Sequence, residues 1–473
     1  MTESEFIMTI LSKYNQKFLK TTLRIAIPII IQNAITNLVG MLDNIMVGQV
    51  GTNEMSGVSI VNQLIFVYNL MIFGGSAGIG IFTAQFAGKH DQKGLTYTVR
   101  LKLAMVLLLT FLGVMVFFNS GDSLIRLWLN GSNSMDDSIA TLTAAHQYML
   151  TMLVGLLPFA LAQVYSSTLR ETGETMIPMM AGLTAIVVNL IGNYILIYGK
   201  FGAPQLGVVG AAAATVLSRF VEAAFVILWS HRHARRFPFM KDVFRSFYVP
   251  RQLAASILLK SFPLLLNETL WSLGQAALSQ QYSTLSLSVI AAFNISSTIA
   301  NVFNVAFISM GDATAIILGQ KLGQLGTTGD KNAVKHDAYR LAVISVVLCI
   351  ISGSLMALTS LFFPQVYNTT AEIKHTASTL ILVSACYMPV HAYMNASYFT
   401  LRSGGKTWIT FLFDSVFVWV CSIPAAYIFT HYTSMSIVPV YISVLSLDFI
   451  KCIIGFLLVR NGNWIHDLTE YVA

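Results

Sequence analysis

The sequence predicts an all-α membrane protein: twelve transmembrane helices in two parallel six-helix lobes, related by a pseudo-two-fold axis along the membrane normal. Three observations carry this. The 473 residues are 55% hydrophobic and only 10% charged, with a mean hydropathy of +0.68. Twelve apolar runs are long enough to cross a bilayer. The two halves of the chain repeat each other at a nearly constant offset.

Composition comes first. A soluble domain carries about 25% charged residues. The shortfall means that much of the outer surface faces something apolar, and lipid is the ordinary candidate. The net charge of +7 would suggest nucleic acid on a soluble chain. Here its placement between apolar runs points to the membrane instead, and no nucleic-acid partner is expected.

A spanning helix needs about 20 apolar residues. The runs lie at about 25–47, 58–84, 99–118, 147–169, 177–198, 208–230, 257–281, 290–319, 339–363, 378–400, 408–430 and 437–459. Lipid offers no hydrogen bonds, so each must satisfy its own backbone as a helix. The long polar connection HRHARRFPFMKDVFRSFYVPRQ divides a first lobe, 1–230, from a second, 257–473, through a connection at 231–256.

The connections set the orientation. With the N-terminus inside, 23 Lys and Arg residues fall in inner segments and three (Arg126, Lys200, Lys374) in outer ones. By the positive-inside rule both termini are cytoplasmic, in a multi-pass protein of the cytoplasmic (inner) membrane. No signal peptide is visible. Phe6, Ile7, Ile10, Leu11, Tyr14 and Phe18 either make a helix face on the membrane surface or belong to a solvated start.

The repeat is legible by eye. A shift of 235 residues places Pro28 on Pro263, Gln85 on Gln320 and Gly88 on Gly323. Leu169-Arg170 meets Leu401-Arg402 at a shift of 232. Six spans per half is an even number, so both halves start on the same side and are parallel. Their axis is where secondary transporters bind cargo.

Charge inside a span costs roughly 2.5–3.5 kcal/mol per residue. Apart from Arg100, Lys102, Lys260 and Arg340 at their inner ends, which are counted with the inner segments, the runs nevertheless hold six acids (Asp43, Glu222, Glu268, Asp312, Asp414, Asp448) against two bases, Arg219 and Lys451. An interior so biased suits protons, small cations or organic cations. Arg219 with Glu222, and Asp448 with Lys451, are spaced i, i+3 and read as structural ion pairs. Asp43 and Glu268 have no base near them in sequence and read as ion-coupling acids. Asn189 and Asn193 share a face of span 5, and with Thr215 of span 6 offer neutral oxygens around Asp43. His391, after Pro389, and Asp414 are candidates for lining a substrate cavity.

Other chemistry is not supported. Cys349, Cys386, Cys421 and Cys452 are far apart in apolar runs, with no metal-ligand spacing. Ser403-Gly404-Gly405-Lys406-Thr407 lacks the leading glycine of a phosphate-binding loop, because position 400 is Thr. No HExxH or GxSxG motif occurs. No cofactor, metal or enzymatic activity is expected, and the energy source would be an ion gradient.

At this point the sequence resembles the multidrug and toxic compound extrusion (MATE) family of cation-coupled antiporters over essentially its whole length. The residues that carry this are Pro28 with Leu42-Asp43, Val47-Gly48 and Gly51; Gly207-Val208-Val209-Gly210-Ala211-Ala212 with Ala214-Thr215; and Leu401-Arg402-Ser403-Gly404-Gly405. The resemblance implies export of small organic cations in exchange for H+ or Na+, by a monomer. It implies a first-lobe cation site at Asp43, Asn189 and Thr215, with an acid four residues after Asn189. Here that position is Asn193, which leaves one negative charge and favours protons over sodium. It further implies a coupling acid at Glu268, a span-ten acid whose nearest counterpart here is His391, and a bend of span one at Pro28. Two competing readings stand beside it. A flippase for lipid-linked sugars would want a cationic cavity, and an intramembrane enzyme or receptor would leave the repeat unexplained.

Overall fold

The computed structural model describes residues 13–129 and 135–470. The expected helix face at Phe6, Ile7, Ile10 and Leu11 lies outside them. All described elements are helical. Eleven helices are long and apolar enough to cross a membrane, and a bent pair makes the twelfth.

In order the spans are Lys13–Gly48, Thr52–Lys89 and Gln92–Leu129; the pair Met135–Val154 and Leu156–Glu171; then Met176–Tyr198 and Gly207–Arg232. The second half runs Arg251–Ser283, Leu287–Gly323, Lys331–Thr359 and Ala371–Ser403; a composite span from Thr407 to Tyr432; and the pair Ile437–Ser446 and Asp448–Asn461. Side chains set several starts. Ser286, Asp330 and Thr370 accept from the backbone N–H groups of Val289, Ala333 and Ile373, the ordinary N-cap arrangement.

Two spans depart from a plain helix. Span 4 bends by 46° at Gly155. Pro158 has no N–H to give to Val154 O, four residues back, and at the break Gly155 N donates to Met152 O, three residues back, at 2.9 Å. Span 11 widens into π turns at Leu412–Val416 and Val418–Ser422. Such bulges cluster at functional sites, and Asp414 sits in the first. Pro28 lies inside a continuous span 1.

By contact the chain forms two compact units. Unit 1 comprises residues 1–34, 84–90 and 262–473, and unit 2 comprises 35–83 and 91–261. They cut across the expected lobes at spans 1, 2 and 7. In unit 1, Ile25, Ala26 and Ile29 pack in one core with Met310, Leu322, Leu341 and Trp464. Residues 84–90 join this unit through close backbone approach. A Cβ on Gly88 would lie 1.8 Å from Gln320 O, and one on Gly323 would lie 1.9 Å from Gln85 O. These are the residues that the 235-residue shift pairs, so the repeat packs against itself there. The segment after span 12 closes over this place: Gln85 Nε2 donates to Ser403 O at 2.9 Å, and Gln85 Oε1 accepts from Leu468 N at 2.7 Å.

In unit 2, spans 5 and 6 meet through small residues. A Cβ on Gly210 would lie 2.5 Å from Leu196 O, and one on Gly192 would lie 2.9 Å from the Ala214 side chain. Small residues are what let transmembrane helices approach this closely. The approach brings Asn189 and Asn193 against Thr215. The expected polar connection at 231–256 is itself ordered. It contains a short helix at Phe239–Asp242, and Arg100 donates to Val243 O at 3.0 Å and Tyr248 O at 2.9 Å.

Candidate functional site

Unit 2 contains a cavity of about 250 Å³. Asp43, Asn193, Thr215, Arg219, Tyr148 and Asn62 are its polar lining. Span 1 brings Asp43, span 5 the asparagines, span 6 Thr215 and Arg219, span 4 Tyr148 and span 2 Asn62.

The carboxylate of Asp43 is held by amides. Asn193 Nδ2 donates to Asp43 Oδ1 at 2.7 Å. With the Asn189 amide nitrogen turned to the acid, the orientation that satisfies both its ends, it donates to Oδ1 and Oδ2 at 3.0 Å each and accepts from Thr215 Oγ1 at 3.1 Å. Asn189 and Asn193 are 5% and 1% exposed. Asn193 Oδ1 is buried with no hydrogen-bond partner among the described residues, a state that asks for an explanation. Tyr148 OH donates to Asn62 Oδ1 at 3.2 Å. The structure thus brings together Asp43, Asn189, Asn193 and Thr215, four of the five residues read as the coupling site.

Glu268, the fifth, lies in unit 1. No hydrogen bond or ion pair joins it to another described residue. Its neighbour Asn267 opens a polar chain instead. Asn267 Nδ2 donates to Asp414 Oδ2 at 3.0 Å and to Tyr398 OH at 3.2 Å. Ser415 Oγ donates to Asn267 Oδ1 at 2.7 Å. Lys451 Nζ lies 3.7 Å from Asp414 Oδ1 and 3.9 Å from Asp448 Oδ1. His391 Nε2 lies 3.3 Å from Asp448 Oδ2. The two cavity candidates, His391 and Asp414, therefore stand at opposite ends of one charged chain, with the expected Asp448–Lys451 pair between them.

The other expected pair is looser. Among the described residues no carboxylate makes a direct ion pair with Arg219, and Glu222, three residues on, attracts it from further off. The Arg219 guanidinium turns to span 4, where Nη1 donates to Gly155 O at 3.4 Å and the group lies 5.0 Å from the centre of the Phe159 ring. The i, i+3 spacing was satisfied along the helix, but the bend at Gly155 offers a carbonyl and a ring face within reach of the long side chain. Tyr148, Asn62 and Asn267 were missed by sequence reading. A polar residue at helical spacing from Asp43's partners was the only available signal, and none of the three has it.

Comparison with known proteins agrees with this architecture. The sequence profile of the MatE family matches residues 28–195 and 263–428, two copies that begin 235 residues apart, at Pro28 and Pro263. The chain is 24% identical over 454 residues to the probable multidrug resistance protein NorM of Thermotoga maritima, covering 94% of this chain and 93% of that protein. It is 25% identical over 425 residues to the probable multidrug resistance protein YoeA of Bacillus subtilis, with 88% of each covered. A crystal structure of MATE in the straight conformation superposes with a TM-score of 0.83 at 22% identity, and one in the bent conformation with 0.82 at 21%. Each covers 94% of this chain and 96% of the other.

Proposed function

The chain belongs to the MatE family, and from that membership and the Asp43 cavity we propose that it exports small organic cations in exchange for protons. The coupling ion is H+ rather than Na+ because a single carboxylate serves the first-lobe site. The observation that carries the reading is the orphan oxygen of Asn193 beside Asp43. When Asp43 is ionised, the amide nitrogens of Asn189 and Asn193 donate to it. When it is protonated, its hydroxyl needs an acceptor, and a half-turn of the Asn193 amide presents Oδ1. The site can therefore stabilise either protonation state without repacking, as a coupling site must. In this reading proton and cationic cargo compete for Asp43, and the two lobes alternate between sides of the cytoplasmic membrane. Pro28 supplies the point in span 1 where the missing hydrogen bond lets the helix flex.

Proteoliposomes loaded with ethidium test it. Efflux is expected under an imposed proton gradient and not under an imposed sodium gradient. Sodium-driven efflux at equal pH would overturn the choice of ion. No efflux under either gradient would overturn export itself.

Glu268 is the alternative coupling acid. Glu268→Gln is expected to lower export by about tenfold, the worth of a 1.4 kcal/mol charge effect, while leaving the amount of folded protein unchanged. Wild-type efflux would reduce Glu268 to a packing role. The connection at 231–256 is expected on the cytoplasmic side with both termini. A cysteine placed at Ser246, which is exposed, should resist an impermeant maleimide in intact cells and react after lysis. Labelling in intact cells would reverse the orientation.

A further inference from the structure

The charge of the Asp43 cavity is not purely acidic. Arg219 lines it alongside Asp43, and no described carboxylate makes a direct ion pair with Arg219, which Glu222 attracts only from further off. A cation in a span is expensive and persists where it has a function. Gly155 O and the Phe159 ring compensate it only in part. A guanidinium carries five N–H donors in a planar fork shaped for a carboxylate, and Gly155 O takes one of them at the long distance of 3.4 Å. The same cavity therefore holds a carboxylate that attracts cations and a guanidinium that attracts carboxylates. Its walls between the two are apolar, with Val47, Val58 and Met152 among them.

We propose that this cavity selects zwitterions: small amphipathic molecules whose cationic nitrogen faces Asp43 and whose carboxylate is received by Arg219. The inference rests on the export reading above and narrows its substrate class. A simple organic cation would meet Asp43 but would also be repelled by Arg219, so a carboxylate on the cargo relieves the repulsion and adds charge-assisted hydrogen bonds. A volume of about 250 Å³ is below the usual 300–1,000 Å³ of drug-sized pockets, which favours a compact ligand of amino-acid dimensions.

A matched pair of probes isolates the carboxylate: radiolabelled N,N,N-trimethylphenylalanine, a permanent zwitterion, and its methyl ester, a permanent cation of nearly the same shape. Binding to the purified protein and proton-driven efflux from proteoliposomes are both measured, with ethidium as the reference cation. The wild-type protein is expected to bind the zwitterion about tenfold or more tightly than the ester, as one charge-assisted contact allows. Arg219→Met should remove or invert that preference and tighten ethidium binding, because the reference cation is no longer repelled. Arg219→Lys, which keeps the charge and loses the fork, should retain part of it. Monodisperse elution of each variant in size-exclusion chromatography reports that it is folded.

A wild-type preference for the ester overturns the inference and leaves the export reading standing, as does ethidium export with neither probe bound. Equal losses of zwitterion and ester in Arg219→Met also overturn it, because Arg219 would then support the fold or the coupling rather than recognise a carboxylate. If neither ethidium nor either probe binds or moves, the export reading falls and the zwitterion inference falls with it.

Discussion

Asp43→Asn is expected to abolish uphill export and to leave a folded carrier. The substitution keeps the shape of the side chain and removes its charge for good. Its oxygen still accepts from Asn193 Nδ2, which lies 2.7 Å from Asp43 Oδ1. Its new amide hydrogens can donate to the Asn189 amide oxygen once that amide is turned over, with Asn189 Nδ2 then donating to Thr215 Oγ1 at 3.1 Å. The cluster then loses no hydrogen bond, so stability should change little. Coupling should not survive. Exchange requires that ion and cargo bias the same group in opposite directions, and an amide has neither a proton to exchange nor a negative charge to hold a cation. For one proton per cargo molecule, a gradient of one pH unit can sustain about a tenfold cargo gradient, 1.36 kcal/mol. The variant should sustain none: ethidium inside and outside proteoliposomes should equalise under an imposed gradient. If the variant still holds cargo uphill, Asp43 is not the coupling group, and Glu268 takes its place.

How much of this site could be read in advance follows from distances along the chain. The facing of Asn189 and Asn193 was legible because they lie four apart on one helix. Asp43 stood out because an acid in an apolar run has few reasons to be there. The approach of Thr215 depends on two helices meeting, and Gly192 and Gly210, which permit it, are ordinary residues in an apolar sequence. The surroundings of Arg219 were hidden for a similar reason. Helical spacing says which residues share a face, but a long side chain chooses its partner in three dimensions. Its partner, Gly155 O, also accepts from Phe159 N at 3.2 Å and faces Arg219 at the bend of span 4, and the apolar run at about 147–169 gives no sign of a break beyond Gly155 and Pro158. The fold was legible for the opposite reason. The bilayer demands about 20 apolar residues per helix, a constraint written in contiguous sequence, and the repeat supplied the architecture.

The largest expected loss of folded protein is at Lys451. Its side chain is 4% exposed, between Asp414 at 3.7 Å and Asp448 at 3.9 Å, and its ammonium lies 5.2 Å from the centre of the Phe417 ring. Lys451→Met fits the same stem into the same apolar surroundings. What it removes is the one cation between two acids, of which Asp448 keeps His391 at 3.3 Å and Asp414 keeps Asn267 at 3.0 Å. Stranding one partner of a buried pair costs roughly 3–5 kcal/mol, a large part of the 5–15 kcal/mol that holds a typical protein folded. The expected result is a sharp fall in monodisperse protein after detergent extraction, with a lower unfolding temperature. Neutralising the acids as well, in Lys451→Met with Asp414→Asn and Asp448→Asn, should restore much of the folded amount, since a buried ion cluster is often replaceable by neutral groups of similar volume. That rescue distinguishes a structural cluster from a transport relay. If Lys451→Met folds at the wild-type level and loses export, the chain from His391 to Asn267 carries protons, and its charges are retained for transport rather than for the fold.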